Sequence, residues 1–277
     1  MNDPELSRRR LLWSGGVTIS LGAVIAACSS SEEGAPGRVG NAPVPTPLPD
    51  AVVNDAVLLR TATSLEYTAI DVYAAATGLG VLDRSAQQLV DRFVEDHTAH
   101  AEITSSLTTQ AGGEPYECAN TWIMERAVAP ILASIVGDEE RDIPPSDDMV
   151  RDLLAVSEAI ESLAGATYQE LVGAFNDSDL RRELILIGAQ EVRHAAAVAM
   201  RKTGTPAAYL SPALTGDEVT PDESGLVPVY AIPSRFGSLA ATELVIGPAN
   251  DRGIRTSVLL QTPAANAFVY PDQTCPT

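Results

Sequence analysis

The sequence predicts an all-α protein: a four-helix bundle made of two helical hairpins, with a long crossover between them and a proline-rich C-terminal extension. Three observations carry this. Proline is absent between Asp50 and Glu114 and again between Ser146 and Thr205, while nine of the nineteen prolines follow Thr205. Interior prolines break helices, so the two clean windows are where long helices can run. Within each window, apolar residues recur at 3.6-residue spacing in two stretches. The windows also resemble copies of one another, since Glu66, Tyr73 and His100 return as Glu161, Tyr168 and His194 at offsets of 95, 95 and 94 residues.

Residues 1–27 read as a leader. Ser7-Arg8-Arg9-Arg10-Leu11-Leu12 is a twin-arginine export signature, and the apolar run Val17 to Ala27 is too short and wrongly flanked for a stable membrane span. The run closes on Ile25-Ala26-Ala27-Cys28, which resembles a bacterial lipobox; the resemblance implies cleavage before Cys28 and a diacylglyceryl group on its sulfur. An ordinary cleaved signal or an uncleaved anchor are the alternatives. Cleavage leaves 35 of the 37 acidic and 15 of the 18 basic residues, a net charge near −20. Such a surface disfavours nucleic acid and anionic lipid, so the expected membrane link is the lipid anchor itself, on the outer face of the cell envelope. Residues 28–49 continue as a Ser-, Gly- and Pro-rich tether, stiff and extended.

The bundle is expected over residues 50–205. Its first helix covers about 51–77 and ends at Gly78-Leu79-Gly80; the second covers about 84–110 and ends at Gly112-Gly113. Residues 111–146 form the crossover, with a short helix near 121–136 interrupted around Pro130. The third helix runs about 147–175 behind the capping stretch Ser146-Asp147-Asp148, and the fourth about 178–203, stopping at Gly204. Residues 206–277 change character. Leu226–Tyr230, Glu243–Ile246, Arg255–Leu260 and Phe268–Tyr270 are β-leaning runs, expected as short strands packed on the bundle. Beyond Cys28 only Cys118 and Cys275 remain, and an exported chain with one such pair favours a disulfide over two separate thiols.

All three histidines fall in these windows. Glu191 and His194 lie three apart on one helical face, in line with Leu184, Ile187 and Val198. His97 and His100 lie in line with Val90, Phe93, Thr104 and Leu107. Glu66 sits among Leu59, Ala62, Ile70 and Tyr73, and Glu161 among Leu154, Gly165 and Tyr168. Three carboxylates converging in an apolar core repel one another and are costly to desolvate, and a multivalent cation removes both penalties. Carboxylates with imidazoles suit iron, manganese or zinc. Glu66, His97, His100, Glu161, Glu191 and His194 are therefore the candidate ligands, with Tyr73 and Tyr168 as packing and hydrogen-bonding supports. Glu158 is read as a spare ligand or, preferentially, a solvated edge position. The competing reading is a metal-free bundle with a polar core network.

Over residues 51–203 this pattern resembles the ferritin-like superfamily, in particular the ferritin-like domains grouped with desiccation-related proteins and the rubrerythrin-type di-iron bundles. The resemblance implies Glu on the first and third helices, Glu-x-x-His on the second and fourth, and iron or manganese as cofactor. It departs at His97, where a carboxylate that commonly bridges two metals is expected. Glu95 lies about 200° around the helix from His97 and cannot replace it without a register change. A neutral imidazole cannot bridge, so the expected site is mononuclear or unevenly occupied. Electron delivery in the rubrerythrin manner has no cysteine cluster to support it, and neither a nucleophile triad nor a phosphate-cradling glycine loop is present in the sequence. Three functions follow from the pattern: oxidase, peroxide-handling or metal-sequestering chemistry in the envelope; a surface binding module; and, by family analogy, stress protection. Oligomeric state, a homo-oligomer included, is open.

Overall fold

The structure is a computed structural model and describes residues 53–204, 241–261 and 267–276. The leader, Cys28, the tether and the run Leu226–Tyr230 lie outside the described residues.

Four long helices form the body. The first, α1 (Asp55–Gly78), starts at Asn54, whose extended backbone lets its side chain accept from Val57 N at 3.0 Å. This cap sets the start a turn later than the apolar pattern suggested. Gly80 then takes φ 65°, which carries the chain round into α2 (Arg84–Gln110), capped by Asp83 on Ala86 N at 2.8 Å. The crossover holds a short helical segment of three parts. These are α3 (Thr121–Ile123), a wider π turn over Met124–Val128, and α4 (Ala129–Val136). The irregularity lies just before Pro130, where the interruption was expected. Pro130 donates no N–H and its ring crowds the preceding turn, so the helix widens before the proline and resumes with it in its first turn. Next come α5 (Met149–Ala174), capped by Asp148 on Arg151 N, and α6 (Ser178–Thr203), closed by Gly204 at φ 73°.

The helices α5 and α6 approach closely because two glycines face each other's helix. A Cβ on Gly165 would lie 2.8 Å from Val192 Cγ2, and one on Gly188 would lie 2.8 Å from Tyr168 Cβ. Apolar side chains fill the bundle above and below its middle. At one end Val57, Leu59, Leu171, Leu180 and Leu184 pack together; at the other Val72, Ile131, Ile135, Leu153 and Val156 do. Each fully buried aliphatic side chain stabilises by about 1.5–3 kcal/mol relative to its exposed state.

In the C-terminal extension, β1 (Ala241–Ile246) pairs antiparallel with β2 (Thr256–Gln261), and Leu244 and Ile246 pack into the apolar cluster of α4 and α5. Phe268–Tyr270 is not a strand. Its backbone groups are taken by side chains: Val269 N donates to Thr61 Oγ1 at 2.9 Å, and the buried Arg60 guanidinium donates to the carbonyls of Val269, Tyr270, Gln273 and Glu114. Asn120 Nδ2 donates to Ala267 O at 2.8 Å. Cys118 and Cys275 are joined by a disulfide with their Cα atoms 5.8 Å apart, which fixes this tail to the crossover. Among the described residues, no helix is long and apolar enough to cross a membrane.

Candidate metal centre

All six candidate ligands meet midway along the bundle, one carboxylate or an x-x-His pair from each long helix. Glu66 comes from α1, His97 and His100 from α2, Glu161 from α5, and Glu191 and His194 from α6; every one is at most 5% exposed. The helical spacing put each on its inward stripe, and the close α5–α6 approach brings Glu161 within reach of His194.

Two groups of four emerge: Glu66, His97, His100 and Glu191, and His97, Glu161, Glu191 and His194. Within each, one ligand atom per residue lies within 4.8 Å of all the others. His97 and Glu191 belong to both. The His97 ring spans the centre, with Nδ1 2.7 Å from Glu66 Oε2 and Nε2 3.1 Å from Glu161 Oε1. His194 Nδ1 stands 3.2 Å from Glu161 Oε2 and 3.4 Å from Glu191 Oε2. His100 Nδ1 is 2.7 Å from Glu191 Oε1, a charge contact and not a directed hydrogen bond, because neither atom, nor Glu191 Oε2, has a partner at hydrogen-bonding angles.

The two tyrosines cross over. Tyr73 of α1 donates its hydroxyl to Glu161 of α5, and Tyr168 of α5 donates to Glu66 of α1. Tyr73 also stacks on His97, and Phe93 stacks on His194 with ring centroids 4.3 Å apart.

Two features escaped sequence reasoning. Asp96 Oδ2 lies 3.1 Å from His194 Nε2, and Arg92 holds that carboxylate with two bonds of 3.0 and 2.6 Å. Its position directly before His97 and four before His100 was the available signal, but the Arg92–Asp96 spacing reads equally as a surface pair. The other is Glu158, which is not a solvated edge residue. It is 5% exposed and pairs with Lys202, whose long stem brings the ammonium in from the end of α6. Glu95 stays outside the centre, exposed and paired with Arg92.

Burial is the largest influence on every member of the cluster, pushing the acids up and the histidines down. Hydrogen bonds and charge override it in most cases. The adjacent imidazoles of His100 and His97 bring Glu66 down to about 2. The His97 charge and a bond from His194 lower Glu161. Glu161 raises His97 well above its ordinary value, the nearby Glu191 and Glu66 carboxylates lift His100 to about 10, and Glu161 and Glu191 lift His194 to about 9. Glu191 goes the other way, raised by burial and then by the Glu66 charge.

The donor set fits a divalent metal. Three buried carboxylates and three imidazoles converge, and Glu191 turns two unpartnered oxygens toward the middle. Bundle and centre together define the class of carboxylate–histidine helical bundles, in which facing helices direct Glu and His side chains into the core. A family model described as a ferritin-like domain matches residues 54–202, more than half of the 277-residue chain, and the chain belongs to that family. None of the curated proteins matches it.

Proposed function

We propose that this protein is an exported ferritin-like lipoprotein, tethered to the cell membrane through Cys28, that holds iron or manganese in its bundle core. The observation that supports metal binding best is Glu191: a buried carboxylate shared by both ligand groups, with neither oxygen satisfied at hydrogen-bonding geometry. A bound ion of this kind supplies redox chemistry toward oxygen or peroxide, or is itself the cargo that is sequestered. The chain's own residues exclude water, since each ligand is buried and Phe93, Tyr73 and Val198 pack around the centre. Tyr73 and Tyr168 hold the two carboxylates Glu161 and Glu66 in orientation. The leader motifs and the acidic surface support export and lipid anchoring; the cytoplasmic loading of a cofactor before twin-arginine export agrees with a buried site.

A second reading has an observation of its own. His97 joins Glu66 and Glu161 by hydrogen bonds at its two nitrogens, so protons on the histidines can neutralise the acids without a metal. A bundle of that kind would serve as a surface binding or stress-protection module. Elemental analysis of natively exported protein separates the two. At least about one equivalent of iron or manganese per chain, with a rise in unfolding temperature on metal addition, is expected from the first reading. Less than about a tenth of an equivalent and no thermal shift with either metal would establish the second.

A further inference from the structure

The pseudo-symmetric centre is not symmetric in how its histidines are held, and the geometry points to a single ion on one side of it. Resting on the metal-binding reading above, we propose that the ion is ligated by His97 Nε2, His194 Nδ1, Glu161 and Glu191, while Glu66 is not a ligand but the acceptor that orients His97.

A neutral imidazole offers one in-plane lone pair and carries its proton on the other nitrogen. A carboxylate beside the outer nitrogen therefore fixes which nitrogen faces the metal. His194 has this arrangement: Asp96 takes Nε2 at 3.1 Å, and Arg92 orients Asp96 in turn. Its lone pair is thus directed through Nδ1 at Glu161 and Glu191. His97 repeats it with a different acid. Glu66 Oε2 sits 2.7 Å from Nδ1, the shorter of the two His97 contacts, which leaves Nε2 for the group containing Glu161. His100 has no equivalent. Among the described residues no acidic side chain pairs with its Nε2, and its Nδ1 meets Glu191 without directed geometry.

The carboxylates divide the same way. Glu66 is committed at both oxygens, to the Tyr168 hydroxyl at Oε1 and to His97 at Oε2. Glu161 takes the Tyr73 hydroxyl on Oε1, the oxygen that also faces His97 Nε2, and keeps Oε2 toward His194, so its contacts beyond Tyr73 are to the two proposed histidine ligands, while Glu191 has both oxygens to give. Two imidazole nitrogens and two carboxylates then converge on one position, a donor set suited to Mn(II) or Fe(II).

The copies of the site supply their own controls. Chelator-stripped full-length protein, titrated with Mn(II), is expected to take up one equivalent. His194→Asn and Glu161→Gln abolish that uptake, whereas His100→Asn leaves it within a few-fold of wild type. Glu66→Gln and Asp96→Asn keep the stoichiometry of one and weaken affinity by about 10- to 100-fold, as loss of an outer carboxylate does. Crystals of Mn-loaded wild type, which need no variant to fold, should show one anomalous peak, within bonding distance of His97 Nε2 and His194 Nδ1. Two equivalents, a peak between His100 and Glu66, or equal losses from His100→Asn and His194→Asn overturn the assignment. Wild-type protein that binds neither Mn(II) nor Fe(II) defeats the underlying metal-binding reading, a failure seen before any substitution is made.

Discussion

Substituting His97→Glu tests how this centre manages its charge. His97 Nδ1 stands 2.7 Å from Glu66 and 3.9 Å from Glu191, and Nε2 stands 3.1 Å from Glu161. A carboxylate there meets three others instead. Two unit charges about 4 Å apart at an effective dielectric near 20 repel by about 4 kcal/mol. Protonation of one carboxyl relieves part of this, leaving an expected loss of a few kcal/mol. In a domain of this size each kcal/mol moves the midpoint by about 2–4 °C, so ion-free H97Q-like neutral controls and H97E should separate by roughly 10 °C. Metal inverts the order. Two divalent cations in one core repel, and a fourth carboxylate between them offsets that repulsion. Scanning fluorimetry with chelator or Mn(II), together with metal counted per chain, should show H97E lower without metal, higher with it, and closer to two ions. Wild type already holding two tight ions refutes the reasoning, as does lower occupancy in the variant. An unchanged variant would place His97 outside the centre.

The ion-free protein should also carry a marked pH dependence. His100 and His194 rise to about 10 and 9 from an unfolded value near 6.5, so their stabilisation is complete below pH 6.5 and lost as pH climbs through 9 to 10. Glu66, lowered from 4.5 to about 2, stabilises above pH 4.5 and ceases to as pH falls through 2. Thermal unfolding with chelator across pH 4 to 10 should peak near pH 5–6; a flat profile contradicts the charge network. Cys275→Ser opens a loop that spans 157 residues and should lower stability by at most about 5 kcal/mol, read from urea unfolding against the oxidised parent. An identical midpoint would show that Arg60 and Asn120 hold the tail unaided. Cys28→Ser should release the protein from membranes, and its retention after high-salt washing would mean that another segment anchors it.

The four helices were legible because their signals are local. Proline-free windows, glycine stops and Asp or Asn caps each act within a turn or two, and the six inward side chains follow from 3.6-residue periodicity alone. Boundaries moved only where a cap outranked the apolar pattern, as Asn54 does for α1. What escaped depended on contacts distant in sequence. Asp96 is an ordinary helical partner of Arg92 until α6 arrives with His194. Glu158 needs Lys202. Phe268–Tyr270 looked like a strand because its side chains are β-leaning, but its hydrogen bonds are taken by Arg60 and Thr61, more than 200 residues away. No periodicity encodes such a partner.

The exchange of hydroxyls between Tyr73 and Glu161 and between Tyr168 and Glu66 bears on how the protein assembles. Each hairpin carries a buried acid that takes a tyrosine hydroxyl from the other hairpin, beside a histidine of its own. Either hairpin alone would turn its apolar stripe, its tyrosine and its carboxylate to water and lose one crossed bond, each worth about 0.5–1.5 kcal/mol net and more where the acceptor is charged. The repeat is therefore not divisible: neither copy makes a self-sufficient folding unit, and the two must dock before either is stable. A gene encoding one hairpin would be expected to yield a folded product only by pairing with a second molecule of itself, rebuilding the crossed bonds between chains.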